Sequence, residues 1–354
     1  MKKLAAEPDR GAAQPELQKP FVRRLRGDAR KVSAMVSTAD IVITSPPYWK
    51  KRDYGVPGQI GQELSAQAYV SEILKCLHDW SRVLPSWGSI FLNVGDTYNE
   101  RSLSGVPARI EVAARDTGWI IRNRIVWAKD VGMPDPVQNR LTSRYEYIFH
   151  ICSRNDYYYD MFGYSEKFGN GTNPGDVWRI PLRRDMSGHL APFPDELVER
   201  IIDLACPLEV CTHCGQPRRR LVERTAELDP GRPQAKRAME LAEQFGLTAE
   251  HIAAIQATGI SDAGKALRVQ TGTGKNTERV RNLAAEAKAA LGGYFREFTF
   301  SKKRTTGWTR CTCGAEFRPG IVLDPFMGTG TTLRVAAAAR RSGIGVDLAL
   351  LADS

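Results

Sequence analysis

Short runs of β-branched and aliphatic residues, each cut off by a turn and followed by a stretch of helical spacing, constrain this chain more than any other feature. Ile41-Val42-Ile43-Thr44 is the sharpest of them, a buried-strand run that begins after Asp40 and stops at Pro46-Pro47. Proline fixes φ and removes a backbone donor, so a central strand cannot pass through that pair. Residues 88–94 form a second run that ends in Gly95-Asp96, and Ile321-Val322-Leu323-Asp324 a third that enters a glycine turn. Further strands are expected at about 21–25, 119–127, 145–151 and 343–347. Residues 69–84, 107–117, 194–204 and 331–341 carry apolar positions at helical spacing. Strands alternating with amphipathic helices predict an α/β fold with a doubly wound, mostly parallel sheet.

Two turns carry chemistry. After the first strand, the Ser45 hydroxyl, the rigid carbonyls of Ser45 and Pro46 and the Tyr48 ring could grip a planar base bearing an amino group. A proline turn with Tyr48 packed in a core fits the same residues. In Asp324-Pro325-Phe326-Met327-Gly328-Thr329-Gly330-Thr331-Thr332, glycines let the backbone approach a ligand and the next helix presents free N–H groups. Asp347 stands 23 residues after Asp324, close to the spacing of about 20 at which an acidic residue reaches a ribose in nucleotide-binding βαβ units. The turn is neither a dinucleotide fingerprint, which needs a third glycine, nor a Walker loop, which needs a lysine.

Between the second and third of these regions the alternation lapses. Residues 207–318 read as an insertion, opened by Cys211-Thr212-His213-Cys214 and closed by Cys311-Thr312-Cys313, with helices expected at 234–245, 249–257 and 277–291. Residues 1–20 read as a loose arm, and 21–206 and 319–354 as the two halves of the main domain. Four thiolates from Cys211, Cys214, Cys311 and Cys313 would satisfy a structural zinc, although Cys-x-Cys is tighter than the usual second pair and unrelated thiols are the alternative. His213 is expected to point outward. Seven cysteines with no apolar leader argue against a disulfide framework. No apolar run is long enough to span a membrane. From 216 to 310 there are 18 Lys/Arg and 10 Asp/Glu, most of the chain's formal +10. That balance favours a polyanionic partner.

Thr44-Ser45-Pro46-Pro47-Tyr48-Trp49 and Asp324 to Thr332 together resemble the S-adenosylmethionine-dependent amino-methyltransferases of DNA. The order, catalytic motif before cofactor motif, is similar to their permuted β group. Gly95-Asp96-Thr97-Tyr98, Arg124 to Lys129, Arg144-Tyr145-Glu146 and His189 to Pro194 extend the likeness over roughly 21–206 and 319–348. The resemblance implies direct transfer of a methyl group to an exocyclic amine of a flipped base, with Ser45, Pro46, Pro47 and Tyr48 as the catalytic motif. It implies cofactor contacts from Asp324, Pro325, Phe326, Gly328, Gly330 and Thr331, ribose contacts from Asp347, and pocket walls from Phe193 and Pro194. A serine-led motif in this family usually goes with N4 of cytosine; N6 of adenine is the alternative, and a non-catalytic nucleic-acid-binding protein on the same fold a second one. Double-stranded DNA is the implied partner, in a prokaryotic or phage-encoded cytoplasmic enzyme, with a separately acting restriction endonuclease left open. The basic insertion is then expected to recognise DNA, with Arg218, Arg219, Arg220, Lys302, Lys303 and Arg304 on phosphates.

Overall fold

A computed structural model describes residues 18–130, 138–182, 194–260 and 276–350. The chain forms two compact units, one from Met1–Arg219 with Thr309–Ser354 and the other from Arg220–Trp308. In the first unit, strands β1 (Val22–Arg26), β2 (Ile41–Thr44) and β3 (Ser89–Val94) precede a small hairpin of β4 (Tyr98–Asn99) and β5 (Ser102–Leu103). Then come β6 (Ile120–Ala128), β7 (Tyr145–Cys152), β8 (Val177–Arg179) and β9 (Glu209–Cys211). Those of the second unit are β10 (Arg220–Arg224) and β11 (Lys303–Trp308), and β12 (Phe317–Pro319), β13 (Ile321–Asp324) and β14 (Ser342–Asp347) return to the first. Eight of these strands make one sheet in the order β1-β14-β13-β2-β3-β7-β6-β8. All neighbours are parallel except at β7, which runs against both β3 and β6.

Alternation along β2 shows why the run is continuously apolar. Val42 packs on one face with Ile73, Leu77 and Trp80 of α1 (Ala66–Ser81). Ile41 and Ile43 pack on the other, with Leu197, Val198 and Ile201 of α4 (Asp195–Ala205) and Val335 of α9 (Thr331–Ala338). Both faces are covered, so every position must be apolar or internally bonded. α1 begins where the Ser65 side chain accepts from the Ala68 N–H at 3.1 Å. The carboxylate of Asp96, just beyond β3, accepts from the Gly105 and Val106 N–H groups and so caps α2 (Val106–Asp116).

Helix α3 (Met161–Phe168), strand β8 and the ladders β9–β12 and β10–β11 have no counterpart in the elements expected from sequence. The strands among them are three to six residues long with no sustained period, and distant partners create them. The second unit builds its own small core from Ala238, Ile252, Ile255, Ala287, Leu291 and Phe298. These come from α5 (Pro233–Gln244), α6 (Ala249–Thr258), α7 (Glu278–Leu291) and α8 (Phe295–Thr299). No described helix is long and apolar enough to cross a membrane. Most of the expected N-terminal arm lies outside the described residues.

Candidate active site

β2 and β13 are parallel neighbours, with Val42 opposite Leu323. Their carboxyl ends therefore deliver Thr44-Ser45 and Asp324-Pro325 side by side. From β2 the chain passes through α1 to β3 on one side, and from β13 through α9 to β14 on the other. This reversal is the switch point at which open α/β sheets bind ligands. The Thr44 hydroxyl donates to Asp324 Oδ1 at 2.6 Å and ties the two turns together. Burial pushes the Asp324 carboxyl up to about 6, against hydrogen bonds from the Thr332 and Thr44 side chains and the Phe326 N–H.

On the β2 side a polar network surrounds Ser45. Its hydroxyl donates to the Tyr48 hydroxyl at 3.3 Å, and that hydroxyl donates to Glu146 Oε2 at 2.5 Å. The buried Asn93 amide lies 2.8 Å from the Tyr48 hydroxyl, 2.7 Å from Glu146 Oε2 and 3.3 Å from Ser45 Oγ. Lys129 pairs with the other Glu146 oxygen. Burial and the Glu146 carboxylate push the Tyr48 hydroxyl well above its ordinary value. Tyr69 donates to the Pro47 carbonyl at 2.9 Å, whereas no described residue donates to the Pro46 carbonyl. The Tyr48 ring approaches Gly95 so closely that a Cβ there would lie 2.7 Å from Cε2, so only glycine admits the ring.

Asn93, Lys129 and Glu146 received no role from the sequence. Antiparallel register unites them: Glu146 sits opposite Trp127, and the Lys129 N–H bonds the Arg144 carbonyl at 2.8 Å. Lys129 and Glu146 do lie in two of the stretches that extend the family likeness, Arg124 to Lys129 and Arg144-Tyr145-Glu146, and Glu146 is a charged residue inside an aromatic run.

On the β13 side, Gly328 and Gly330 have φ of 51° and 86°, and α9 begins at Gly330 with no side-chain cap on its N–H groups. The Asp347 carboxylate, at the end of β14, accepts from the Gly328 N–H at 2.9 Å and so faces the same turn. Pro325 is buried, Thr331 half-buried, and the Phe326 ring meets Trp80 edge-on at 6.1 Å. Pro194 is buried at the start of α4, and Phe193 lies outside the described residues.

The sulfurs of Cys211, Cys214, Cys311 and Cys313 all lie within 4.8 Å of one another, in the first unit. His213 is exposed and outside that group. The basic residues divide. Arg218 pairs with Glu209, donates to the Thr309 carbonyl at 3.1 Å and covers the Phe317 ring, which engages its guanidinium within the first unit. Arg219 donates to the Asp156 carbonyl and lies over Tyr158. Arg220, on β10, covers Trp308, and exposed Lys303 and Arg304 lie on β11 opposite Arg224 and Glu223. Lys302, just before β11, is exposed.

Residues 39–209 and 315–350 match the DNA methylase family N6_N4_Mtase. The type II methyltransferase M.SmaI of Serratia marcescens is 32% identical over 203 residues, which cover 48% of this chain and 70% of that protein. M.Cfr9I of Citrobacter freundii is 30% identical over 209 residues, covering 50% and 70%. Among solved structures, the PvuII DNA methyltransferase (cytosine-N4-specific) superposes with a TM-score of 0.53 over 95% of this chain and 85% of that one. At 14% identity that likeness is one of fold, the Rossmann-like methyltransferase fold. The matched residues span more than half of the chain and contain both turns of the crevice, so the chain belongs to the DNA methylase family, the amino-methyltransferases of DNA.

Proposed function

We propose that this protein methylates the exocyclic N4 amine of cytosine at a specific sequence in double-stranded DNA, as a permuted, β-group enzyme using S-adenosylmethionine. The observation that carries this reading is the Thr44–Asp324 bond at the switch point, which holds a serine-led acceptor turn beside a glycine turn with two carboxylates. The donor set suits the cofactor: an uncapped helix start and Gly328 for its methionine end, Asp347 for its ribose hydroxyls, and Phe326 with Pro194 as apolar walls. When bound, it supplies an electrophilic methyl group on a sulfonium.

The rest is the work of this chain's own groups. An exocyclic amine is a weak nucleophile because its lone pair is delocalised into the ring. Ser45 Oγ and the Pro46 carbonyl accept from its two N–H groups and favour a pyramidal nitrogen. Tyr48 offers a ring to the extruded base. The alkylated nitrogen must shed a proton, and the path Ser45–Tyr48–Glu146 runs from the reacting amine to a carboxylate, with Lys129 on its far oxygen. No covalent enzyme intermediate is needed; positioning dominates. Serine at the head of the motif supports cytosine, as does the cytosine-N4 specificity of the PvuII methyltransferase, which shares the fold. Exposed Lys302, Lys303 and Arg304, with Arg220 on the neighbouring strand, are proposed to meet the DNA backbone from the second unit.

Nucleoside mass spectrometry of DNA incubated with the protein and labelled S-adenosylmethionine tests the reading. Labelled N4-methylcytosine is expected. Labelled N6-methyladenine would overturn the base assignment, and absence of label the reaction.

A further inference from the structure

We propose that Cys211, Cys214, Cys311 and Cys313 bind one zinc ion as a closed four-thiolate site that clasps the two points where the chain passes into and out of the Arg220–Trp308 segment. This inference is independent of the methyl-transfer reading.

Four observations converge. First, the sulfurs lie within 4.8 Å of one another. Zinc–sulfur bonds of about 2.3 Å in a tetrahedron put sulfurs about 3.8 Å apart, so closing on the ion requires shifts of about an ångström or less. Second, both pairs close in tight turns that end in a left-handed glycine. Gly215 and Gly314, each just after the second cysteine of its pair, both have φ of 66°. The Gly215 N–H returns to the Cys211 carbonyl at 3.0 Å.

Third, the frame holds the two turns together through contacts of its own. β9 and β12 pair with Cys211 opposite Phe317, and the Thr212 N–H and hydroxyl both reach the Glu316 carbonyl at 3.0 Å. The Trp87 indole donates to the Gly215 carbonyl at 3.0 Å and anchors the first turn to the core. Fourth, the donor set is sulfur throughout, with no carboxylate or imidazole in the group. Soft thiolates select zinc over magnesium or calcium, and a full set of four leaves no open position for catalysis. The whole Arg220–Trp308 unit lies between Cys214 and Cys311, so the ion closes that loop at its root.

The test uses the full chain. Metal analysis of protein purified without chelator is expected to give about one zinc per chain, with zinc-edge EXAFS showing four sulfurs at about 2.3 Å. Alkylation of native protein should spare all four thiols although Cys214 and Cys313 are exposed; after chelation all four should react. Cys214→Ser and Cys313→Ser should each lower zinc affinity roughly tenfold or more. The proposal fails if Cys214 and Cys313 alkylate as fast before chelation as after it. It also fails if the four sulfurs are found in disulfides, if the metal is an iron–sulfur cluster, or if zinc binding is unchanged in both variants. None of these readouts depends on methyl transfer.

Discussion

Replacing Ser45 with alanine separates the two halves of the crevice. Among the described residues the Ser45 hydroxyl makes only 3.3 Å contacts, to Tyr48 and from Asn93. These are long for hydrogen bonds, so their loss should cost at most about 1 kcal/mol of stability. Tyr48 and Asn93 keep their shorter bonds to Glu146, at 2.5 and 2.7 Å, and the pocket should hold its shape. In the proposed reaction, by contrast, the same oxygen accepts from the amine as its nitrogen becomes pyramidal. Removal of one preorganised hydrogen-bonding group from a transition state typically costs about 3 kcal/mol, or on the order of a hundredfold in rate. Single-turnover transfer of labelled methyl to DNA reads that step without product release, and calorimetry reads cofactor affinity. Ser45→Ala should slow transfer about a hundredfold, with cofactor affinity and melting temperature nearly unchanged. If cofactor affinity fell while transfer survived, Ser45 would belong to the cofactor side and the proposed division of labour would be refuted.

The other predictions use different parts of the molecule. Glu146→Gln keeps an acceptor for Tyr48 but removes the carboxylate; transfer should fall by roughly a hundredfold or more with cofactor affinity retained, and unchanged single-turnover rates would take Glu146 out of the proton path. Asp324 binds its proton more tightly in the folded chain, at about 6, than an ordinary aspartate does at 3.8. The stability it adds is therefore full below about pH 4 and lost as pH rises through about 6, by roughly 3 kcal/mol. Denaturant midpoints of ligand-free protein across that window should show a shallower decline in Asp324→Asn; parallel curves would contradict the linkage. Changing Lys302, Lys303 and Arg304 together to alanine should weaken DNA binding and lower the salt slope by about one for each phosphate no longer neutralised. An unaltered affinity and slope would remove this strand from the interface.

Local features were legible in the sequence. Residues 41–44 and 321–324 are strands because β-branched and aliphatic runs halted by proline or a glycine turn have few other solutions, and the helices beside them follow from period alone. The cysteine pairs announced themselves by spacing, and their sulfurs do converge. Less legible was the reversed direction of β7, because Tyr145 to Cys152 looks the same read as a parallel or an antiparallel strand. Nor did charge alone show that Arg218 is engaged by Glu209 while Lys303 and Arg304 stay exposed.

The sequence by itself determined the long-period helices and the apolar strands of the main sheet, where the two turns of the crevice fall and which residue types they carry, since these depend on neighbours a few positions away. Only the tertiary structure decided that Thr44 and Asp324, 280 residues apart, share a hydrogen bond, and that Asn93, Lys129 and Glu146 gather behind Ser45. Strand order and register come from burying both faces of a sheet whose partners lie far apart in the chain. No local period carries that information.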